Sequence, residues 1–153
     1  NADVAIMVFT LSAIAPEHQV GVLRSLKSSL KPGGVLCFRD RALYDLTMLR
    51  GTSRLGERTY SRSDGTLAHY FTEDEVERLA CEAGLELVGP IEYHTVRMHN
   101  RRKGVSASRC FIHAKLRRPR TALELVRHHA ASVGIGMALC VVGAGALGWR
   151  RRR

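Results

Sequence analysis

The chain is 153 residues long, with 25% charged residues and a formal net charge of +10, enough for one modest domain. Its four cysteines, Cys37, Cys81, Cys110 and Cys140, form no C-x-x-C pair and have no histidine at ligand spacing; this argues against a zinc module or disulfide scaffold, so buried thiols in a reducing compartment and no metal are expected. No basic run and no cleavage-like pattern opens the chain, so no signal peptide is read, and a start at Asn1 directly on an apolar run suggests a piece of a longer protein.

Val4 to Leu11 (VAIMVFTL) is an almost unbroken apolar run of strand length, suited to a parallel strand covered on both faces. Pro16 fits the first turn of a helix, and Val20, Leu23, Leu26 and Leu30 then recur at helical spacing. Lys31-Pro32-Gly33-Gly34 stops that helix, and Val35 to Phe38 reads as a second buried strand. Strand, helix and strand over this length make a βαβ unit with parallel strands. Arg39 to Phe71 is long and polar, with Tyr44, Tyr60 and Tyr70 spaced through it. An excursion of this kind after a strand is where open α/β sheets place ligands.

Thr72 and Glu75 form a capping box, with Thr72 capping the N–H of Glu75 and Glu75 reaching back. Val76, Leu79, Ala80 and Ala83 give the apolar stripe of the helix, and Gly84 ends it. Leu85 to Met98 reads as a strand bent at Gly89-Pro90. From Arg109 to Leu116 apolar residues alternate with period two, so these two strands are expected to pair as a hairpin. Residues 97–120 carry nine Lys or Arg and no acid, whereas residues 1–96 carry ten against thirteen acids. Such a segment suggests a polyanion partner, with Arg101, Arg102 and Lys103 as its densest part. The chain therefore divides into 1–120 and a tail, 121–153. Within the tail Ser132 to Trp149 holds no charge, and its length is that of a short apolar membrane helix between basic flanks.

A parallel α/β sheet finished by an antiparallel hairpin resembles the C-terminal half of a class I, Rossmann-like methyltransferase, its fourth to seventh strands. More specifically, Phe9-Thr10-Leu11-Ser12-Ala13-Ile14, Leu30-Lys31-Pro32-Gly33-Gly34, Phe38-Arg39-Asp40, Tyr44-Asp45-Leu46, Leu49-Arg50, and Tyr60-Ser61-Arg62-Ser63-Asp64-Gly65-Thr66 follow in order. Together these blocks resemble the tRNA 3-methylcytidine methyltransferases of the methyltransferase-like family, across residues 3–119. Two departures stand out: Arg41-Ala42 where the family has Tyr-Gly, and Leu67 and Thr72 at positions it fills otherwise. The Gly-rich cofactor loop and acidic ribose-binding residue of that family have no counterpart in these 153 residues, so the chain alone is expected to be inactive.

The resemblance implies transfer of a methyl group from S-adenosylmethionine to N3 of a cytidine in the tRNA anticodon loop. That nitrogen carries a lone pair and no proton, so alignment is the main task and no general base is required. Positive charge develops on the ring, and a carboxylate nearby would stabilise it; Asp40, Asp45 and Asp64 are the candidates. Arg39, Arg50 and Arg62 are candidates for phosphate or base contacts and Tyr44, with Tyr60 and Tyr70, for stacking. By family analogy Val8, Leu11 and Ser12 lie along the cofactor. The histidines His18, His69, His94 and His113 read as incidental. Implied partners are tRNA, a membrane through the tail, and a tRNA synthetase or other protein; the expected location is cytoplasmic, with membrane association. Two alternatives stand beside this reading: a class I methyltransferase with another nucleic-acid substrate, and a non-catalytic remnant that binds RNA or is tethered to a membrane.

Overall fold

The computed structural model describes residues 1–100 and 104–120. The chain opens with strand β1 (Ala2–Val8), a 3-10 turn (Leu11–Ala13), helix α1 (Pro16–Ser29) and strand β2 (Leu30–Arg41). β1 and β2 are parallel, in register from Val4 opposite Val35 to Val8 opposite Arg39. The first strand stops three residues short of the expected Leu11. Phe9 adopts φ 52°, a left-handed conformation that turns the chain out of the sheet and drops Leu11 into the core. The second strand is longer than the expected Val35–Phe38, because the Lys31-Pro32-Gly33-Gly34 stretch that ends the helix runs straight into the sheet. A Cβ on Gly34 would sit 2.8 Å from the Lys31 carbonyl oxygen and 3.0 Å from that of Ala2. Only glycine allows the backbones to approach so closely.

The polar excursion contains a short helix, α2 (Leu46–Leu49), and a hairpin of β3 (Thr59–Ser61) and β4 (Leu67–His69). Helix α3 (Glu73–Ala83) follows. Thr72 Oγ1 accepts from the Glu75 N–H at 3.3 Å, half of the expected capping box. The other half is not made: the Glu75 carboxylate turns inward to His69 Nε2 and to Arg58, each at 3.1 Å, because two nitrogens of the excursion offer it charge-assisted partners. Gly84 closes the helix at φ 71°.

Strands β5 (Glu86–Leu87), β6 (Glu92–Asn100) and β7 (Val105–Arg117) complete the sheet. Its order is β1-β2-β7-β5, with β6 also pairing on β7, and β7 runs antiparallel to all its neighbours. This is the expected parallel sheet ended by a hairpin, with β7 beginning before the predicted Arg109. One face packs Met7, Leu36, Phe38, Ile112 and Leu116 against Leu23 of α1 and Val76 and Leu79 of α3. The opposite face carries Ile6, Val8, Cys37, Arg39, His113 and Lys115 around a hollow of about 330 Å³, and Ile6 is 75% exposed. Arg118 Nη1 donates to the Leu30 carbonyl at 2.7 Å, with longer bonds to those of Lys27 and Ser28, and so caps the last turn of α1.

Within the described residues, Asn1–Pro119 forms one compact unit. The expected apolar helix at 132–149 lies outside the described residues, as do Arg101, Arg102 and Lys103. Among the described residues no helix is long and apolar enough to cross a membrane.

Candidate functional site

The C-terminal ends of β1 and β2 meet the excursion at one pole of the sheet, and the expected site residues distribute around it. Asp40 lies near the end of β2 on the helix-packed face and is fully buried. Its carboxylate accepts from the Ser12 N–H at 3.0 Å and the Arg41 N–H at 2.8 Å, which fastens the 3-10 turn to the end of β2. Burial pushes the Asp40 pKa up, against the pull of these bonds and of the Arg41 charge. Ser12 and Leu11 are therefore interior residues, whereas Val8 is 45% and Phe9 41% exposed on the open side. Of the three residues expected along a cofactor, Val8 is the one that presents its side chain.

Asp45 is also fully buried, and four donors converge on it. Thr47 N and Thr47 Oγ1 bind Oδ1; Arg109 Nε at 2.8 Å and Cys110 N at 2.9 Å bind Oδ2. Burial pushes this carboxyl up, but the donors from Thr47, Arg109 and Cys110 together outweigh it and hold the pKa below the usual range. The neighbouring Tyr44 pays for this anchoring with φ 63° and a ring that is 67% exposed; strain in a bulky residue of this kind is typical of functional loops. Asp64 caps an exposed turn, accepting from Thr66 N at 3.0 Å and Thr66 Oγ1 at 2.6 Å. Thr66 holds its pKa below the ordinary value. The three candidate carboxylates thus serve three separate turns.

The arginines are brought together more closely than the carboxylates. Arg50 and Arg62 line a polar cavity of about 460 Å³ with Arg41, Arg109, Tyr60 and Tyr70. Arg41 Nη1 reaches Thr47 Oγ1 at 3.4 Å, and the Tyr70 hydroxyl lies 2.9 Å from the same oxygen. Tyr60 and Tyr70 meet edge to face at 5.6 Å. Arg41 and Arg109 were not among the sequence candidates; Arg41 shows itself only as a departure from the family pattern. Arg39 lies instead on the open face, its guanidinium 4.8 Å from the Phe111 ring and 5.6 Å from that of Phe9.

The acid-free segment is split. Arg109 faces the cavity pole, while Arg117 pairs with Glu86 at 3.1 Å and Arg118 caps α1, both at the other end of β7. The histidines are not all incidental. His69 bridges Thr59 at 2.8 Å and Glu75 in the core. His94 stacks on His113 at 4.3 Å, and with Glu92 they bring ligand atoms within 4.8 Å of one another. Among the cysteines, Cys110 is buried and Cys81 exposed.

A family model described as a methyltransferase domain matches residues 1–89. The chain belongs to the methyltransferase domain family. It is 38% identical over 121 residues to tRNA N(3)-cytidine methyltransferase METTL6 of Homo sapiens, covering 78% of this chain and 42% of that protein. It is 39% identical over 121 residues to tRNA N(3)-cytidine methyltransferase METTL2 of Bos taurus, covering 78% and 32%. O-methyltransferase 3 of Dictyostelium discoideum is 38% identical over 123 residues, covering 78% and 28%. The chain thus spans less than half the length of these methyltransferases. Its fold is that of a SAM-dependent methyltransferase from Methanosarcina mazei, at 18% identity and a TM-score of 0.52, covering 78% of this chain and 60% of that one. The class I architecture expected from the sequence is therefore present in its C-terminal portion.

Proposed function

We propose that the complete protein transfers a methyl group from S-adenosylmethionine to N3 of a cytidine in the anticodon loop of tRNA. The observation that carries this reading is the 37–39% identity, over 78% of the chain, to methyltransferases of several animals that are named for N3 of cytidine in tRNA. The polar excursion with its arginine-lined cavity supports an RNA substrate.

The residues present fit one side of the cofactor. Val8 and Phe9 expose apolar surface at the end of β1, suited to the adenosine or the methionine chain, while the buried Leu11 and Ser12 hold the turn beneath. S-adenosylmethionine, when bound, supplies an electrophilic methyl group on a sulfonium. The protein's part is to align a lone pair with that methyl and to exclude water. Asp40 and Asp45 act as positioning residues: the first fixes the 3-10 turn through the Ser12 N–H, the second fixes the excursion against β7. Tyr44, exposed beside Asp45, is the aromatic side chain best presented to an extruded base. Asp64 and Arg62 act at the outer turn.

A second reading, class I methyl transfer to a different nucleophile, draws on the Dictyostelium relative named an O-methyltransferase. An oxygen nucleophile loses a proton, so it needs a general base where cytidine N3 does not. Nucleoside analysis of RNA treated with the complete protein separates the two: 3-methylcytidine supports the first, a ribose- or other O-methylated product the second. Cytoplasmic residence, a membrane contact through 132–149 and a synthetase or other protein partner are further proposals, the membrane contact resting on the uncharged run of the tail.

A further inference from the structure

We propose that the cavity between α2, the β3–β4 hairpin and β7 is a phosphodiester-binding pocket that grips the backbone of a polynucleotide. The proposal rests on the RNA reading above and assigns to it a place and a set of residues.

Four guanidinium groups, those of Arg41, Arg50, Arg62 and Arg109, line one cavity of about 460 Å³, and none of its lining residues is an acid. Like charges gathered around one polar cavity repel one another; an anion between them reverses the sign of the interaction. The available countercharges do not neutralise the group. Buried Asp45 engages Arg109 from behind the wall. Asp64 stands 3.7 Å from Arg62, with both side chains about half exposed, a pair of the weak, exchangeable kind. Arg41 makes a long bond to the Thr47 hydroxyl, lies 6.0 Å from the Phe9 ring and feels the charge of buried Asp40 without a salt bridge to it, and Arg50 has no carboxylate partner among the described residues.

The arrangement is also built rather than incidental. Asp45 orients Arg109 directly and also fixes the Thr47 hydroxyl that Arg41 reaches at 3.4 Å, so one buried carboxylate sets the wall on which both cations sit. Tyr70 locks the same hydroxyl at 2.9 Å. A Cβ on Gly51 would come within 2.7 Å of the Tyr60 ring, so glycine is what lets that ring form the wall. All four cations are arginines, whose planar forks match phosphate oxygens in pairs, and Ser53, Ser61 and Ser63 add neutral donors at the rim. The volume lies in the range of small-ligand sites.

The test uses the complete protein and a synthetic tRNA anticodon stem-loop, with affinity read by fluorescence anisotropy across a salt series. The Arg41→Gln/Arg50→Gln double variant leaves the Arg109–Asp45 anchor intact. It is expected to weaken binding on the order of tenfold or more and to reduce the salt slope by about two, one per lost phosphate contact. Arg50→Glu alone, at an exposed position, is expected to shift affinity in the same direction and serves if the double variant fails to fold. Unchanged affinity and slope in a folded variant overturn the proposal. Inorganic phosphate and AMP are expected to compete only weakly; competition by either at the hairpin's own affinity assigns the pocket to a free anion and overturns the polynucleotide claim. Loss of RNA binding in the variants, where the wild type makes no 3-methylcytidine, upholds the pocket and refutes the methylation reading. Normal methylation by the variants with unchanged KM for RNA refutes the pocket and leaves that reading standing.

Discussion

Asp40 and Asp45 are both fully buried, yet their surroundings drive their ionisation in opposite directions. Asp45 has its pKa depressed by Thr47, Arg109 and Cys110 against the effect of burial. Its contribution to stability is therefore present above the ordinary carboxyl value of about 4 and is lost as pH falls through the lowered one. Asp45→Asn keeps the shape but cannot accept from all four donors, and Arg109 loses its partner. A loss on the order of 2–3 kcal/mol is expected at neutral pH, shrinking toward acid pH, as read by denaturant melts. Asp40 has its pKa raised, chiefly by burial. Its contribution is full below about 4 and is lost as pH rises through the raised value. Melting curves from pH 4 upward should then show the wild type losing ground to Asp40→Asn; a gap that widens in the wild type's favour contradicts this. Neither carboxylate's role was legible in sequence. The partners that decide it, Ser12 for Asp40 and Arg109 for Asp45, lie 28 and 64 residues away.

Among the elements, those set by local chemistry were legible and those set by distant contacts were not. Pro16, the apolar stripe of α1, the Thr72 cap and Gly84 each act within one or two turns, so α1 and α3 appear where the sequence puts them. Period-two alternation likewise marks β7. β1 ends at Val8, short of the apolar run, because Phe9 takes a positive φ that such a run does not announce. The acid-free segment suggests a polyanion partner, but a 13-residue strand carries its arginines to opposite ends of the sheet. The β3–β4 hairpin was invisible as such. It is tied to α3 by Glu75, which takes both His69 and Arg58. Burial raises and these two partners lower the Glu75 pKa, with a net lowering. Glu75→Gln removes the charge from this tie and is expected to cost about 2 kcal/mol. Hydrogen exchange should quicken at Thr59–Ser61 and Leu67–His69 while β2 and β7 keep their protection; equal quickening throughout would contradict a local clamp.

At the scale of the molecule, the family was legible because its motifs are short, ordered and local, and the comparison over residues 1–89 agrees. The arginine pocket was half legible: Arg50 and Arg62 stand within recognisable motifs, whereas Arg41 and Arg109 join them only through folding. For the tail, a reporter fused to residues 121–153 is expected to stay with membranes through an alkaline carbonate wash, since its 132–149 run carries no charge; a soluble reporter removes the membrane proposal. Methyl transfer to cytidine N3 is the activity from which the roles of the turn, the excursion and the arginine pocket all follow. Its most direct test is mass spectrometry of nucleosides from unmodified tRNA incubated with the complete protein and isotopically labelled S-adenosylmethionine. Label is expected in 3-methylcytidine from the anticodon loop. Label confined to any other nucleoside, or no label at all in the presence of folded protein, contradicts it.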